Sequence, residues 1–215
     1  MSIIHNINPD KTNLVLGAEN KLIYGKWSIH DTLCGVEYEI SPHSFFQVNP
    51  YQTEKLYNKA IEYADLNKSQ TVLDIYCGIG TISLSCAGKV NQVIGVEIVE
   101  KAIEDACKNA KSNGITNVEF YAGQAEKVVP DLISKGVKPD VVILDPPRKG
   151  SDEITLKTII GANPQRIVYV SCNPSTLARD IKVLNEGGYT LQKISGVDMF
   201  PNTVHVECCV LLCRT

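Results

Sequence analysis

The sequence lacks an apolar stretch long enough to cross a membrane. Its longest apolar run, 204–213, contains a histidine and a glutamate, and falls short of the roughly 20 residues that a spanning helix needs. The first 30 residues also lack the apolar core of a signal peptide, because charged residues such as Asp10 and Lys21 are scattered through them. The sequence therefore predicts a cytoplasmic protein with no membrane partner.

Cysteine pairs with metal-binding spacing are also missing. None of the eight cysteines forms a Cys-x-x-Cys motif; they stand at positions 34, 77, 86, 107, 172, 208, 209 and 213. In an intracellular chain this favours reduced thiols and argues against a structural zinc site, so no metal is expected. Cys208, Cys209 and Cys213 fall in a strand-like run and are predicted to pack in the core.

An excess of positive charge is absent as well. The formal net charge is -3, which argues against a large nucleic-acid surface, because phosphate binding needs clustered Lys and Arg. A small nucleic-acid surface is still compatible with this charge. The 215 residues, 44% of them hydrophobic, suffice for one large α/β domain with a buried core, and we expect a monomer.

The hydrophobic pattern changes near residue 45. Residues 1–45 are β-rich, with strand-like segments at 13–16 and 36–40, and are too few to bury a core alone. From residue 46 the pattern becomes a helix followed by alternating strands and helices. The sequence thus predicts two units, 1–45 and 46–215.

The second unit is predicted to be α/β, with a seven-stranded, mostly parallel sheet and helices on both faces. Fully apolar strands imply cover on both sides. The last two strands follow each other without a helix, which predicts antiparallel pairing at one edge of the sheet. The predicted strands lie near 71–76, 92–97, 118–121, 140–145, 166–171, 189–197 and 204–212, and the predicted helices near 51–63, 80–88, 99–113, 152–161 and 175–186.

A glycine-containing turn, with Gly78 and Gly80, follows the first of these strands. Open α/β sheets bind ligands beyond the carboxyl ends of their strands, where a helix N-terminus offers backbone amides. A dinucleotide fingerprint requires a third glycine where this chain has Ser83, which weakens a pyrophosphate interpretation. Glu97, at the end of the second strand, is suited to accept both hydroxyls of a ribose.

These features in order resemble the S-adenosylmethionine-dependent methyltransferase fold, which is Rossmann-like. They are an acidic residue in the first strand, few glycines in its turn, Glu97, and an Asp-Pro-Pro sequence at 145–147. The resemblance implies a cofactor with a cationic methionine moiety and no phosphate. A purely structural turn is the alternative interpretation.

Five motifs in order resemble those of the RNA uracil-5 methyltransferases; they occupy 44–50, 74–80, 145–150, 171–174 and 198–207. The resemblance runs from about residue 40 to the C-terminus. It implies methyl transfer from S-adenosylmethionine to a uridine, with 23S ribosomal RNA favoured and transfer RNA as the alternative. Family members usually also carry an N-terminal RNA-binding barrel, often with iron-sulfur cysteines, so we expect a catalytic fragment preceded by a remnant of a central domain.

The chemistry of this reaction requires a nucleophile and a base. Carbon 5 of uracil is a poor nucleophile, but a thiolate that adds to carbon 6 turns the ring into an enolate that is nucleophilic at carbon 5. Cys172, at the end of an apolar strand, is the candidate nucleophile, and the resemblance assigns removal of the carbon 5 proton to Glu207. The resemblance also implies that Asp145 makes a hydrogen bond to the edge of the uracil, which would favour the enolate. His205 is predicted to share a strand face with Glu207 and either to orient or charge-balance it or to make a structural hydrogen bond.

The resemblance also implies binding residues. Those expected to contact the cofactor are Gln47, Tyr76, Gly78, Thr81, Glu97, Gln124 and Asp145. Those expected to contact the RNA are Phe45, Gln47, Arg148, Lys149 and His205, with Phe45 or Phe46 stacking on an extruded base and the two cations binding phosphates. Core packing for the ring and simple surface exposure for the cations are the alternatives.

Three other functions differ at identifiable positions. Amino-group methyltransferases place an aromatic residue after the paired prolines, where this chain has Arg148. Cytosine-5 RNA methyltransferases usually have a cysteine in the fourth-strand loop, and 145–150 contains none. A non-catalytic RNA module that binds the cofactor would not need both Cys172 and Glu207, but it stays an alternative for an isolated fragment.

Overall fold

The computed structural model of the chain describes residues 1–9 and 15–215. Its strands are β1 (Ile3–Ile7), β2 (Glu19–Tyr24), β3 (Ile29–Leu33), β4 (Val36–Ile40), β5 (Thr71–Ile75), β6 (Gln92–Glu97), β7 (Val118–Ala122), β8 (Val141–Leu144), β9 (Arg166–Ser171), β10 (Tyr189–Val197) and β11 (Glu207–Arg214). Its helices are α1 (Pro50–Ala64), α2 (Thr81–Ala87), α3 (Glu100–Ser112), α4 (Ala125–Ser134), α5 (Glu153–Ala162) and α6 (Pro174–Glu186). No helix among the described residues is long and apolar enough to cross a bilayer.

Seven strands form one sheet in the order β10-β11-β9-β8-β5-β6-β7. The pairs from β9 through β7 are parallel, while β11 is antiparallel to both of its neighbours. The predicted sheet is therefore confirmed. Strand β11 lies between β10 and β9, and its first six residues are buried. The more exposed β10 forms the edge of the sheet.

Two apolar layers cover the faces of this sheet. Side chains of α1, α2 and α3 form one core with one face, and side chains of α4, α5 and α6 form a second core with the other. This arrangement confirms the prediction of helices on both sides. Cys208 and Cys209 are buried in these cores, as predicted, and Cys213 packs against one of them.

The β-rich start of the chain forms two small sheets, β1 with β2 and β3 with β4. Strand β4 is anchored to the main domain, since Tyr38 is fully buried in the core shared with α1 and donates a hydrogen bond to the carbonyl of Thr81 at 3.1 Å. Asn109 of α3 and Asn113, the C-cap residue of α3, hydrogen-bond to the backbone of β4. The division at residue 45 stays a prediction, and the hydrophobic core extends across it.

Two predicted elements differ from the structure. Helix α4 is absent from the sequence prediction because Pro130 lies inside it, and an interior proline normally costs a helix about 3 kcal/mol. The predicted segment 13–16 is not a strand where it can be followed: Val15 and Leu16 lie outside any strand, and residues 13 and 14 lie outside the described residues.

The predicted strand 204–212 begins later than expected, at Glu207. Val204 and His205 are exposed and lie in the loop before β11, because β10 ends at Val197 and offers no partner beyond the pair Val197 and Glu207. The prediction that His205 and Glu207 share one strand face is therefore wrong.

Candidate active site

A cavity of about 630 Å³ opens at the edge of the sheet where the parallel strands end. Five adjacent strands bring polar side chains to it: in the order β11, β9, β8, β5 and β6, these are Glu207, Cys172, Asp145, Tyr76 and Glu97. Four of them come from strands that end here. Since β11 runs the opposite way, its first residue reaches the same edge.

The pairing of β11 with β9 sets Glu207 and Cys172 against each other. Cys208 pairs with Ser171, and the register continues without a shift through the pairs that follow. Cys172 directly follows β9, so extending this register by one residue would put it opposite Glu207. Residues opposite each other in antiparallel strands share a face, which agrees with the place of both side chains in the wall of one cavity.

Glu207 is a buried carboxylate, only 4% exposed. Its side chain makes no hydrogen bond to any of the residues that the structure describes, and it lines the cavity. Burial raises the pKa of Glu207, and Arg148 opposes that rise. A carboxylate held in this way is a stronger base than one in water.

Asp145 lies half-buried directly after β8. Burial, followed by the charges of Glu207 and Asp74, raises the pKa of Asp145 to about 8. The free chain therefore holds this carboxyl largely protonated at neutral pH. A protonated carboxyl can both donate and accept a hydrogen bond.

Cys172 lies between the end of β9 and the first turn of α6. Burial raises the pKa of its thiol, and the nearby Glu207 and Asp145 raise it further, while Arg148 lowers it. Without a ligand the sulfur is thus a protonated thiol. Arg148 is the cation that favours both the thiolate of Cys172 and the charged form of Glu207.

The opposite end of the cavity is built from backbone amides. Glu97 accepts hydrogen bonds from the amides of Gly78 at 3.2 Å and Val99 at 3.0 Å, which fixes its carboxylate at the end of β6. Tyr76 has a φ of 70°, and Gly78 has a φ of 55°. A left-handed tyrosine costs about 1–3 kcal/mol, so packing around the turn must hold it there. The Tyr76 hydroxyl lies 3.0 Å from the hydroxyl of Ser151.

Asp74 lies fully buried in β5, below this turn. Its Oδ2 accepts a 2.5 Å hydrogen bond from Ser83, and its Oδ1 has no partner among the described residues. Burial raises the pKa of Asp74 to about 7, while Ser83 opposes the rise. Ser83 therefore has a structural reason to stand where a dinucleotide fingerprint has glycine, namely to bond a buried carboxyl.

The lining of the cavity is rich in carboxyl groups. Five of them, at Glu97, Glu126, Asp145, Asp152 and Glu207, face two cations, Arg148 and Lys149. This balance suits a cationic ligand better than a phosphate. No group of three His, Cys, Asp or Glu side chains within 1–9 and 15–215 is arranged to hold a metal ion.

The comparison with protein families is decisive at this point. Residues 10–215 match the family model of tRNA (uracil-5-)-methyltransferases. The chain belongs to the tRNA (uracil-5-)-methyltransferase family. This membership confirms the resemblance drawn from the five sequence motifs.

Individual relatives of the family agree with this assignment. An uncharacterized RNA methyltransferase of Bacillus cereus is 54% identical over 213 residues, which are 99% of this chain and 46% of the relative. One of Clostridium tetani is 53% identical over 212 residues, again 99% of this chain and 46% of the relative. The chain thus spans about half the length of the curated relatives it matches.

A solved structure supports the fold as well. The tRNA (uracil-54, C5)-methyltransferase of Pyrococcus abyssi, in complex with S-adenosyl-L-homocysteine, is 38% identical and superposes with a TM-score of 0.83. The superposition covers 98% of this chain and 50% of that one. The chain has the α/β fold of the S-adenosylmethionine-dependent methyltransferases, as the sequence predicted.

Most of the residues predicted from the resemblance to this family line the cavity. They are Phe45, Gln47, Tyr76, Gly78, Glu97, Gln124, Asp145, Arg148, Lys149, Cys172 and Glu207. The sequence could not decide whether Phe45 or Phe46 faces the site. In the structure Phe45 is 73% exposed at the cavity, whereas Phe46 packs against Tyr38 at 5.9 Å between ring centroids. The roles of these residues stay predictions.

Two predicted residues do not line the cavity. Thr81 lies behind the turn, where its hydroxyl donates to the Tyr57 hydroxyl at 3.2 Å. His205 is exposed, and its ring lies edge-on to Phe200 at 6.4 Å between centroids. Phe200 does line the cavity, so His205 touches the site only through that ring.

The lining residues that sequence reasoning did not assign include two carboxyls, Glu126 and Asp152, and the aromatic Phe200. Glu126 lies in the first turn of the unpredicted helix α4, and Asp152 is the N-cap of α5. The sequence did offer one signal, because an aspartate just before a helical segment is a preferred N-cap.

Proposed function

We propose that the chain is the catalytic part of an S-adenosylmethionine-dependent RNA (uracil-5-)-methyltransferase. One observation carries the proposal: five adjacent strand ends bring a thiol, two carboxyls with raised pKa values and a fixed carboxylate to one cavity. A non-catalytic RNA module would have no use for the opposed Cys172 and Glu207.

The cofactor end supports S-adenosylmethionine. Glu97 is fixed by two amides and can accept hydrogen bonds from ribose hydroxyls, while the excess of carboxyl groups suits a cation. Tyr76, Gly78 and Gln124 line the same end and are proposed to hold the adenosine and methionine parts. When bound, S-adenosylmethionine supplies an electrophilic methyl group on a positively charged sulfur.

The reactive end supports a covalent route. After its proton passes to solvent water, the Cys172 sulfur forms a bond to carbon 6 of uracil, and the electron pair of the carbon 5–carbon 6 double bond moves to the carbonyl oxygen as an enolate. Carbon 5 is then nucleophilic and can be methylated. Arg148 favours the thiolate on which this sequence depends.

Asp145 is suited to recognise the ring. Its pKa of about 8 leaves the carboxyl protonated at neutral pH, and such a group can donate to a uracil carbonyl while accepting from the ring N–H. A donor at the carbonyl oxygen also stabilises the enolate that forms there. Gln47 lines the same cavity and is proposed to share this contact.

Glu207 is the proposed base for the last step. It removes the proton from methylated carbon 5, the electron pair re-forms the ring double bond, and the bond from carbon 6 to the Cys172 sulfur breaks. A buried base with a raised pKa is suited to this transfer. Phe45 and the cations Arg148 and Lys149 line the cavity and are proposed to hold an extruded nucleotide.

Two classes of RNA are candidate substrates. Uridine in 23S ribosomal RNA is the substrate favoured by the sequence motifs. Transfer RNA is the second candidate, because the solved relative from Pyrococcus abyssi is a tRNA (uracil-54, C5)-methyltransferase.

The test is a map of 5-methyluridine in RNA from cells that lack the intact protein. We expect one site to lose its methyl group, either in ribosomal or in transfer RNA, and to regain it with the wild-type gene but not with a Cys172→Ala variant. Cys107→Ala, which changes an exposed cysteine, is the matched control. Full methylation by the Cys172→Ala variant would contradict the covalent route.

A further inference from the structure

The first turns of α6 hold the backbone of the loop 145–151, which we call the Asp-Pro-Pro-Arg loop. The carbonyl of Arg148 accepts hydrogen bonds from the Asn173 side chain at 3.0 Å and from the Thr176 hydroxyl at 3.2 Å. These two hydrogen bonds to its carbonyl fix the backbone of Arg148 beside α6.

A second set of contacts centres on Asp180, which is fully buried in α6. Its carboxylate accepts from the Ser151 amide at 2.8 Å, from the Tyr169 hydroxyl at 2.6 Å and from Arg179 at 2.7 Å. Arg179 also donates to the carbonyl of Lys149 at 3.0 Å. The carboxylate of Asp180 therefore binds an amide of the loop, and the guanidinium of Arg179 binds a carbonyl of the loop.

The loop is pressed against this pair. Gly150 has a φ of 80°, and a Cβ built there would lie 2.4 Å from Arg179 Nη2 and 2.6 Å from Asp180 Oδ2. Only glycine allows so close an approach. The fit leaves the loop little freedom to move relative to α6.

We call the contacts of Asp180 and Arg179 with the loop the clamp. Because helix α6 begins just after Cys172, the clamp joins the loop that carries Arg148 to the helix that follows Cys172. The charged groups that face Cys172 are Glu207 of β11 and Asp145 and Arg148 of the loop. Among them Arg148 is the cation, and its side chain is exposed and long. Its distance to the sulfur therefore depends on how firmly the loop backbone is held.

We propose that Asp180 and Arg179 are positioning residues that lock the Asp-Pro-Pro-Arg loop to α6 and so fix Arg148 on the cavity wall it shares with Cys172. The inference rests on the proposed role of Cys172 as nucleophile. Neither residue lines the cavity, so they act through Arg148.

The test measures thiol reactivity in this chain as a function of pH. Iodoacetamide is added to wild type, Arg179→Gln, Asp180→Asn and Arg148→Gln, and the modification of Cys172 is followed by peptide mass spectrometry. We expect all three variants to move the midpoint of Cys172 alkylation to higher pH. Exposed Cys107 serves as the internal reference, and its midpoint should not move.

The double variants decide whether the clamp acts through Arg148. On an Arg148→Gln background, loss of Arg179 or Asp180 should cause no further shift, because coupled residues are not additive. Additive shifts, or an unchanged midpoint in a folded variant, would overturn the inference. Since the Arg179 side chain is 55% exposed, Arg179→Gln keeps the test valid if Asp180→Asn fails to fold.

This readout is independent of RNA methylation. A shifted alkylation midpoint, together with no RNA methylation by the intact protein, would support the positioning role and refute the proposed function. An unchanged midpoint in a protein that does methylate uridine would do the reverse.

Discussion

The two ends of the cavity differ in how their polar groups are satisfied. At the cofactor end, Glu97 is bonded to two backbone amides, and the turn is fixed by residues with left-handed backbones. At the reactive end, Asp145 and Glu207 make no side-chain hydrogen bond to any described residue, and both have raised pKa values. The carboxylate of Glu97 is thus fixed without a ligand, while the carboxyls of Asp145 and Glu207 are free to bond a substrate.

This difference shows where the folded state holds carboxyl groups that are not stabilised by hydrogen bonds. Burial disfavours the charged form of a carboxyl that has no hydrogen-bond partner, which is why the pKa values of Asp145 and Glu207 are raised. Such a shift is expected where the group is needed in an unusual protonation state. Substitutions at the two ends should therefore have opposite signatures: lost affinity at one, and lost chemistry with unchanged or higher stability at the other.

The largest effect is expected from Glu207→Gln in the intact protein. Without a base, the proton on carbon 5 stays and the bond to Cys172 cannot break, so RNA should accumulate as an adduct that survives denaturation. Turnover should fall by roughly 10²–10⁴-fold, the usual contribution of a general base. A denaturing gel with labelled RNA measures both effects.

The double variant Cys172→Ala with Glu207→Gln is the matched control and should form no adduct. If the single variant also forms none in the presence of substrate and cofactor, Glu207 is not the base.

At the cofactor end, Glu97→Ala should weaken binding of S-adenosylhomocysteine. A hydrogen bond to a charged group contributes about 1.5–3 kcal/mol, which corresponds to about a 10–100-fold higher Kd. Isothermal titration calorimetry on this chain gives the Kd directly. Glu186→Ala, at the exposed end of α6, should leave the Kd unchanged, and an unchanged Kd for Glu97→Ala would remove Glu97 from the cofactor site.

Asp145 predicts a pH dependence of stability. Its folded pKa of about 8 exceeds the unfolded value of about 3.9, so the folded state binds the extra proton between these values. Stability should therefore fall as pH rises from about 4 to 8 and level off above. Asp145→Asn should remove this contribution and raise Tm by a few °C above pH 8, with little gain near pH 4.

Thermal unfolding monitored by circular dichroism, without cofactor, tests this expectation. Gln192→Ala, which changes an exposed side chain that cannot ionise, should change Tm equally at both pH values. A loss of stability for Asp145→Asn at pH 8 and above would mean that its carboxyl is paired rather than strained.

The smallest effect is expected at His205. Because its exposed ring touches the site only through Phe200, His205→Ala should change turnover by no more than about 2-fold, as other surface substitutions do. Steady-state methylation assays with the exposed His30→Ala as control measure this. A loss of 100-fold would restore the orienting role that the sequence predicted.

The sequence predicted the sheet and most of the cavity because both follow from chain direction. Carboxyl ends of parallel strands meet at one edge, so the positions of Asp145 and Cys172 just after two apolar strands were enough to place them there. The pattern could not give the start of β11 at Glu207, because that depends on where β10 stops pairing. It could not give the clamp at Asp180 either, since those contacts join residues far apart in sequence.

The raised pKa values at the reactive end could not be predicted from the sequence either. Whether a carboxyl has a hydrogen-bond partner is a property of three-dimensional packing. The bond from Ser83 to Asp74 illustrates this, since in the sequence that serine is only a missing glycine.

The continuous register between β11 and β9 makes this site sensitive to single-residue insertions. A slip of one residue would turn Glu207 to the other face and bring Cys208 opposite Cys172, at a Cα separation that disulfides tolerate. A proton acceptor would then be replaced by a second sulfur, and oxidation could cross-link the pair. The bulge between Leu191 and Lys193 lies in β10 instead, so length differences in that hairpin are absorbed on the side away from β9.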